Sequence, residues 1–192
     1  MKLTKMWNGL KQIANGDYVL EGDLICEENL EIELDDRLVV KGKIEVKKNI
    51  TAVKGINAGL GINAGWGINA GEGIKAGEGI KAGTFIHCEK RIFAGVSEYH
   101  TNENCKKTIE CAELQKGEIC FGELVIKPNL KPCPFCGNTK AVAVFTAAEI
   151  SYDDDDDESY AVCCDIENGG CGATGGYKDT PEEAAKNWNQ RA

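Results

Sequence analysis

Apolar residues recur every six positions through the middle of the chain. Residues 55–84 consist of five consecutive six-residue units, GINAGL, GINAGW, GINAGE, GIKAGE and GIKAGT. Isoleucine holds the second position of each unit, and the same spacing continues outside the repeats at Ile44, Ile50, Ile86 and Ile92. Two positions after each isoleucine comes a second small or apolar residue, which is most often alanine.

This period does not fit a helix of about 3.6 residues per turn, but it fits a short strand followed by a corner. Alternation along the strand sends the isoleucine and its second neighbour to one face and the residue between them to the other. The glycines on either side of the variable residue are expected to supply the bend, because glycine tolerates positive φ. The pattern therefore predicts a β-solenoid whose isoleucines stack into one narrow core.

Either two or three hexads can form one coil. Two hexads give a flattened roll, whereas three give a triangular prism with an 18-residue coil. In the triangular case Lys48 lies over Trp66, and a second corner carries a ladder of alternating charge formed by Lys54, Glu72 and Lys90. Opposite charges on neighbouring strands attract each other, so this ladder favours three hexads.

The segments that flank the repeats are predicted to extend and close the solenoid. The apolar series continues backwards through Leu38, Ile32, Cys26 and Leu20. Residues 1–14 are expected to form an N-terminal cap, since the terminal coils of a solenoid must be covered. Residues 97–107 are polar and predicted as a loop, after which residues 108–127 resume the alternation as a closing coil.

The repeat region resembles glycine-rich hexad-repeat β-solenoid proteins that phages and prophages encode. The resemblance rests on the GIxAG units, on Arg91-Ile-Phe-Ala-Gly-Val96 and on Cys120-Phe-Gly-Glu-Leu124, and it covers roughly residues 38–127. It implies a fold and a phage or prophage setting, but no biochemical activity.

The C-terminal part carries two cysteine groups with the spacing of metal ligands. The first is Cys133-Pro-Phe-Cys136, followed by glycine, and the second contains Cys163, Cys164 and Cys171. Four thiolates in two pairs suit a closed, tetrahedral, structural zinc site. Because neighbouring residues in a strand face opposite ways, Cys164 is favoured as the third ligand and Cys163 is the alternative. We therefore expect one structural zinc ion per chain.

A helix is predicted to follow the second cysteine group. Thr180 suits the N-cap, Pro181 the first turn and Glu183 a capping box. Ala184 and Trp188 lie on one face of this helix and are expected to pack on the ribbon. The predicted fold is thus mainly β, with a hexad-repeat β-solenoid (β-helix) in residues 1–127 and a small zinc-ribbon domain with one C-terminal helix in residues 128–192.

The C-terminal motifs resemble the restriction-alleviation (Lar) family. They are Lys131-Pro-Cys-Pro-Phe-Cys-Gly137, then Val162-x-Cys, Cys171-Gly-Ala and a Thr-Pro-Glu-Glu-Ala-Ala-x-x-Trp-Asn segment that begins at Thr180. The resemblance covers roughly residues 130–192. It implies a phage or prophage protein that modulates type I restriction, with a host defence protein as its partner.

Composition and charge narrow the function classes. The 192 residues include 22 Lys and Arg against 31 Asp and Glu, a net charge of −9. This balance argues against direct nucleic acid binding driven by phosphate neutralisation. No apolar run is long enough to span a bilayer, and the N-terminal residues lack the apolar stretch of a signal peptide. We therefore expect a cytoplasmic protein without membrane contact, whose ten cysteines are reduced or bind metal.

Six consecutive acids lie between the two cysteine groups: Asp153, Asp154, Asp155, Asp156, Asp157 and Glu158. Mutual repulsion keeps them in solvent, and they are expected at the tip of a hairpin. They form either a solvated loop or a negative prong that docks on a basic DNA-binding surface. Residues 131–192 contain 12 acids and 5 bases, whereas residues 1–130 contain 19 and 17, so the negative field belongs to the C-terminal part.

Three hypotheses for function follow, and none is enzymatic, because the sequence contains no hydrolytic triad, P-loop or dinucleotide fingerprint. The first is a counter-defence protein that inhibits or modulates a host restriction or other immune nuclease complex. The second is a sponge for a signalling nucleotide, whose phosphates would be held by Lys75, Lys81, Lys90 and Arg91. The third is a structural or assembly module. Leu60 and Trp66, at solvent-facing corners, also predict a homo-oligomer or another partner surface.

Overall fold

The computed structural model describes residues 1–96, 107–150 and 159–191. Contacts divide the chain into two compact units, Met1–Lys127 and Pro128–Ala192. Over the described residues, no helix is both long and apolar enough to cross a membrane.

Short strands build the first unit almost entirely. In its described residues they are β1 (Lys2–Thr4), β2 (Leu10–Gln12), β3 (Tyr18–Leu20), β4 (Leu24–Cys26), β5 (Leu30–Glu33), β6 (Leu38–Val40), β7 (Ile44–Val46), β8 (Ile50–Ala52), β9 (Ile56–Ala58), β10 (Ile62–Ala64), β11 (Ile68–Ala70), β12 (Ile74–Ala76), β13 (Ile80–Ala82), β14 (Phe85–Ala94), β15 (Thr108–Cys111), β16 (Glu113–Phe121) and β17 (Glu123–Ile126).

These strands form three faces of a stack of coils, with parallel pairing between successive coils. The first face contains β1, β5, β8, β11 and the start of β14, and the second contains the end of β14 with β12, β9, β6, β3 and β2. The third face has six levels, in the order β17-β15-β13-β10-β7-β4. Ile62 pairs with Ile44 on one side and with Ile80 on the other, which gives an 18-residue coil. The structure thus confirms the β-solenoid and selects three hexads per coil.

The interior consists of the apolar positions that the hexad pattern singles out. The isoleucines from Ile44 to Ile92 are buried, and so are the alanines two residues after them. Large and small side chains therefore alternate along each strand, and the alanine lets the walls converge near the corner. From β7 to β13 the residue between them faces outward and is exposed or partly exposed, so it can vary without disturbing the core.

The glycines of the repeat serve a different purpose from the expected one. None of the glycines in residues 55–83 has a positive φ, so the prediction of a left-handed bend is wrong. Instead, a Cβ on Gly65 would lie 1.9 Å from the carbonyl oxygen of Lys47, and one on Gly71 would lie 2.0 Å from that of Val53. The glycine after each alanine is needed because the coil below approaches too closely for any side chain.

The first coil differs from the sequence prediction in its register. Tyr18 pairs with Leu38 and Leu24 with Ile44, so this coil has 20 residues. The sequence pattern places Leu20, Cys26 and Ile32 in line with the isoleucines, and this prediction is wrong. In the structure they occupy the second inward position of their strands, in line with Val40, Val46 and Ala52. The two additional residues lie at the corner between β5 and β6, where Leu34 is buried and Tyr18 donates its hydroxyl hydrogen bond to Asp35 at 2.5 Å.

Both ends of the solenoid contain the closing elements that the sequence predicts. At the N-terminus, β1 pairs with β5 and buries Leu3, while β2 turns back antiparallel to β3. At the other end, β15 and β17 extend the third face. β16 pairs with β14 and so extends the first and second faces, and all of these pairs are parallel. Ile109 stacks on Ile80 and continues the core past the polar segment, of which residues 97–106 lie outside the described part of the chain.

The two corner ladders expected for a triangular coil are present. Glu72 lies between Lys54 at 3.6 Å and Lys90 at 3.3 Å, which places alternating charges on three successive coils. Lys48 Nζ lies 5.9 Å from the ring centroid of Trp66, at the distance of a cation–π contact.

The second unit is a small hairpin with a C-terminal helix. Its elements are β18 (Val142–Thr146), α1 (Ala147–Ile150), β19 (Tyr160–Cys164) and α2 (Pro181–Asn189). β18 and β19 pair antiparallel, and the Thr180 hydroxyl accepts the N–H of Glu183 at 3.2 Å, which confirms the predicted N-cap. Trp188 on α2 is buried against Val162, and its indole N–H donates to the carbonyl oxygen of Lys131 at 3.1 Å.

Two glycine substitutions test the role of close coil approach. Gly65→Ala places a methyl group against a backbone carbonyl and is expected to lower the free energy of unfolding by about 1–3 kcal/mol. The control is Gly61→Ala, whose added Cβ would lie 3.3 Å from the carbonyl oxygen of Gly79 and needs only a small shift. Urea unfolding of both variants measures the difference, and equal stabilities would contradict this account of the repeat.

Candidate metal centre

Four cysteine thiols from two separate chain segments meet in the second unit. The Sγ atoms of Cys133, Cys136, Cys164 and Cys171 all lie within 4.8 Å of one another. Cys133 Sγ is 3.6 Å from that of Cys171, and Cys136 Sγ is 3.6 Å from that of Cys164. Each contact thus joins one cysteine of the first group to one of the second.

The first cysteine pair lies on a tight turn. The carbonyl oxygen of Cys133 accepts a hydrogen bond from the N–H of Gly137 at 2.8 Å. The N–H of Cys133 donates to the backbone carbonyl oxygen of Asn138 at 2.9 Å. Gly137 has a φ of +73°, which a residue with a side chain rarely adopts. This glycine lets the chain reverse directly after Cys136, so both thiols point to the same side.

The second pair is formed by the end of β19 and the loop that returns to it. Gly172, with a φ of +78°, donates its N–H to the carbonyl oxygen of Cys164 at 2.8 Å. The N–H of Cys171 points at the Sγ of Cys164 at 3.4 Å, which is the kind of contact that stabilises a thiolate. The six residues between the two cysteines are therefore compatible with one knuckle, although they are more than the usual two.

The adjacent cysteine in β19 lies away from this cluster. Cys163 pairs across the sheet with Ala143 and bridges to Thr174, and burial raises the pKa of its thiol. Strand alternation places Cys164 towards the cluster and Cys163 on the opposite face.

The electrostatics of the four thiols favour a bound cation. Burial opposes ionisation of Cys133, but the N–H groups of Phe135 and Cys136 and the neighbouring thiols lower its pKa to about 7. The N–H of Cys171 favours the thiolate of Cys164, yet burial and the other thiols raise its pKa to about 12. Cys164 therefore stays protonated near neutral pH unless a metal ion supplies positive charge.

The cluster has the size of a four-coordinate site. A tetrahedral ion with sulfur ligands at about 2.3 Å separates those sulfurs by about 3.8 Å. The two measured Sγ separations of 3.6 Å are close to this value. Four cysteine ligands would leave no open position, so the cluster fits one structural metal site.

A hydrogen bond that the sequence prediction missed joins the two knuckles. The side-chain amide of Asn138 donates to the carbonyl oxygen of Gly169 at 3.1 Å, and its oxygen accepts the N–H groups of Lys140 and Ala141. No spacing rule marks this residue. Its position directly after the Cys-Gly of the first knuckle was the only available signal.

Two strongly exposed apolar side chains next to the cysteines were also missed. Phe135, between the first two cysteines, is 76% exposed, and Ile166, two residues after Cys164, is 70% exposed. The exposure of Phe135 and Ile166 could have been predicted from the sequence. Each lies between two cysteine ligands, at the tip of a knuckle, where its side chain cannot reach the core.

The remaining candidate residues lie elsewhere. Asp153–Asp157 and Glu158 are outside the described residues, and β18 and β19 flank them as an antiparallel pair. Trp66 is 51% exposed, whereas Leu60 is partly buried and lines a groove on the third face. Self-association through these two residues stays a prediction.

The four predicted anion ligands are not all in one place. Lys75, Lys90 and Arg91 line the same groove on the second face. Lys81 lies on the third face, in the groove that contains Leu60. Arg37 lines the same groove as these three residues, but the sequence prediction did not include it. It could have been recognised because it lies a whole number of 18-residue coils before Arg91.

Comparison with known families identifies the second unit. Residues 128–192 match the model of a family described as Restriction alleviation protein Lar. The match covers about a third of the chain and contains all four clustered cysteines, so the chain carries a Lar domain at its C-terminus. No curated protein and no solved structure matches the chain.

Metal analysis of single cysteine variants tests the cluster. We expect one metal ion per chain, which Cys164→Ser removes because the remaining three thiols leave the site incomplete. Cys163→Ser changes the neighbouring residue in the same strand and is expected to retain the ion. Inductively coupled plasma mass spectrometry of both purified variants measures the ratio, and equal metal content would contradict the assignment.

Proposed function

We propose that this protein is a phage or prophage counter-defence protein that acts without catalysis in the cytoplasm of a bacterial host. It binds a host restriction complex, or another immune nuclease complex, and inhibits or modulates it. The observation that carries this proposal is the Lar domain in residues 128–192, whose family name denotes restriction alleviation.

The metal in the four-cysteine cluster is zinc, and its role is structural. Thiolate ligands in two pairs favour zinc over the harder cations, and a closed set of four protein ligands leaves no position for water or substrate. The apolar cluster around it contains only a few fully buried residues, Trp188 and Val162 among them. A domain with so small a core needs the ion to hold its two knuckles together.

The knuckle tips of the Lar domain are the contact surface for the host complex. Phe135 and Ile166 expose large apolar side chains there, and Asp165 and Glu167 lie beside Ile166 in the chain. With the acidic run of residues 153–158 in the same domain, such a surface suits a partner with basic side chains around an apolar depression. DNA-binding surfaces of restriction enzymes have this positive charge.

A plating assay tests the proposed activity. In a host with an active type I restriction system, expression of the protein is expected to raise plating of unmodified phage towards the level of a host without that system. Cys164→Ser should abolish the effect because the domain loses its metal, whereas Cys163→Ser should retain it. Full restriction in the presence of the folded, metal-loaded protein would contradict the proposal for this class of system.

Substitution of the exposed apolar residues tests the contact surface. Replacing Phe135 and Ile166 with serine is expected to weaken binding to the host complex by about tenfold for each residue, because truncated anchors cost about 1–2 kcal/mol. The control is Val53→Ser in the solenoid, which removes an apolar side chain that is 59% exposed. Pull-down of the restriction complex and metal content are measured together. Loss of binding with the metal retained supports the proposal, and unchanged binding contradicts it.

A further inference from the structure

The second face of the solenoid contains a groove lined by four cationic side chains. The groove has a volume of about 310 Å³. Its charged lining consists of Arg37, Lys75, Lys90 and Arg91, with Glu72 as the single carboxylate. This concentration of positive charge is unusual in a chain whose net charge is −9.

Glycine occupies two successive levels of the corner that borders the groove. Arg37, Gly55, Gly73 and Arg91 follow one another at 18-residue intervals and stack on four coils, linked by backbone hydrogen bonds through β6 and β9. At about 4.8 Å per coil, the two arginines lie about 14 Å apart along the solenoid axis. A Cβ on Gly73 would lie 2.9 Å from the carbonyl oxygen of Arg91, so this level cannot easily carry a side chain.

Three of the four cations form ion pairs with carboxylates. The contacts are Arg37–Asp17 at 3.2 Å, Lys90–Glu72 at 3.3 Å and Arg91–Glu118 at 3.6 Å. In the Lys90 and Arg91 pairs both side chains are accessible to solvent, so these pairs are weak and can yield to a stronger anion. Arg37 keeps its Nε–H on the buried Asp17 carboxylate and has only its terminal N–H groups to offer.

Lys75 is the exception among the four cations. It is partly buried at the outward position of β12, and it forms no ion pair with any residue that the structure describes. In the next coil its neighbour is Phe93, whose ring also lines the groove. Lys75 and Phe93 therefore occupy paired outward positions on neighbouring coils of the same groove.

We propose that this groove binds a phosphorylated small molecule of nucleotide size. Lys75 and the two arginines would hold phosphate oxygens, since guanidinium and ammonium groups are the usual protein partners of phosphate. Phe93 would contact the aromatic base, which has a face for stacking whatever its identity. The site lies wholly within the first unit and does not depend on the role of the Lar domain.

The third face provides an internal comparison. It carries a groove of similar volume, about 330 Å³, in which Lys43 and Lys81 are outnumbered by Glu45, Glu78 and Glu110. Lys81 occupies the same position in β13 as Lys75 does in β12, but it lies 3.6 Å from Glu110. The two lysines thus share their local backbone and differ in surroundings, so anion binding is expected only on the second face.

Titration of the full-length protein tests the proposal, with ATP and inorganic pyrophosphate as probes in low salt without divalent ions. We expect saturable binding of ATP by isothermal titration calorimetry, weakened about tenfold or more in Lys75→Met because a charge-assisted hydrogen bond is lost. Lys81→Met removes the same charge and keeps the same aliphatic stem, and its affinity for ATP is expected to match the wild type. Thermal melts check that both variants are folded.

Each outcome decides between the alternatives. Selective weakening in Lys75→Met, with ATP bound more tightly than pyrophosphate, supports a nucleotide site on the second face. Equal affinities for ATP and pyrophosphate would overturn the contact between Phe93 and a base. Absence of saturable ATP binding, or equal weakening by both lysine variants, would overturn the site as a whole.

Discussion

The close parallel stacking of successive coils is the constraint on which the solenoid depends. Each strand of three residues pairs with the equivalent strand one coil away, and its isoleucine lands on the isoleucine of that strand. No strand is long enough to be stable alone, so stability comes from the sum of contacts between neighbouring coils. The backbone of one coil approaches that of the next so closely that Gly65 and Gly71 have no room for a side chain.

The same stacking separates the residues that hold the fold from the residues that can carry function. Inward positions are fixed by the core, whereas corner and outward positions face solvent on all three sides. Charges at these positions repeat at the coil spacing, so their effects add along the axis. In the ladder, Glu72 offsets only one of the two charges of Lys54 and Lys90, and Arg37, Lys75 and Arg91 add further positive charge to the groove on the second face. A regular scaffold thus presents different chemistry on different faces.

The Lar domain follows another principle, because its core is too small to be organised by apolar packing alone. Trp188 and the hydrogen bonds of Asn189 with Asn129 and Lys131 attach the C-terminal helix to the chain that enters the domain. The segment that leads into the first knuckle is therefore bound to the helix. The two knuckles are connected by Asn138 and by the thiol cluster, and a metal ion there joins segments that are distant in the chain.

Most of the architecture could be predicted from the sequence, because a strict period of six has few solutions. The isoleucine positions, the 18-residue corner ladders, the cap at Thr180 and the packing of Trp188 all depend on local patterns that are visible in the chain. The restriction-alleviation motifs are equally local, since they consist of short spacings around cysteine and glycine.

Other features were decided only by the tertiary structure. They depend on contacts between segments that are far apart in the chain, and no local sequence pattern marks these contacts. The 20-residue first coil could not be seen, because its two additional residues keep the apolar spacing apparently intact while moving Cys26 and Ile32 to the second inward position. The role of the repeat glycines depends on the distance to the coil below, and the groove around Lys75 depends on which charges lie beside it on other coils. A periodic sequence determines which residues face inward by itself, but the environment of each outward residue depends on register between coils, which only the folded chain defines.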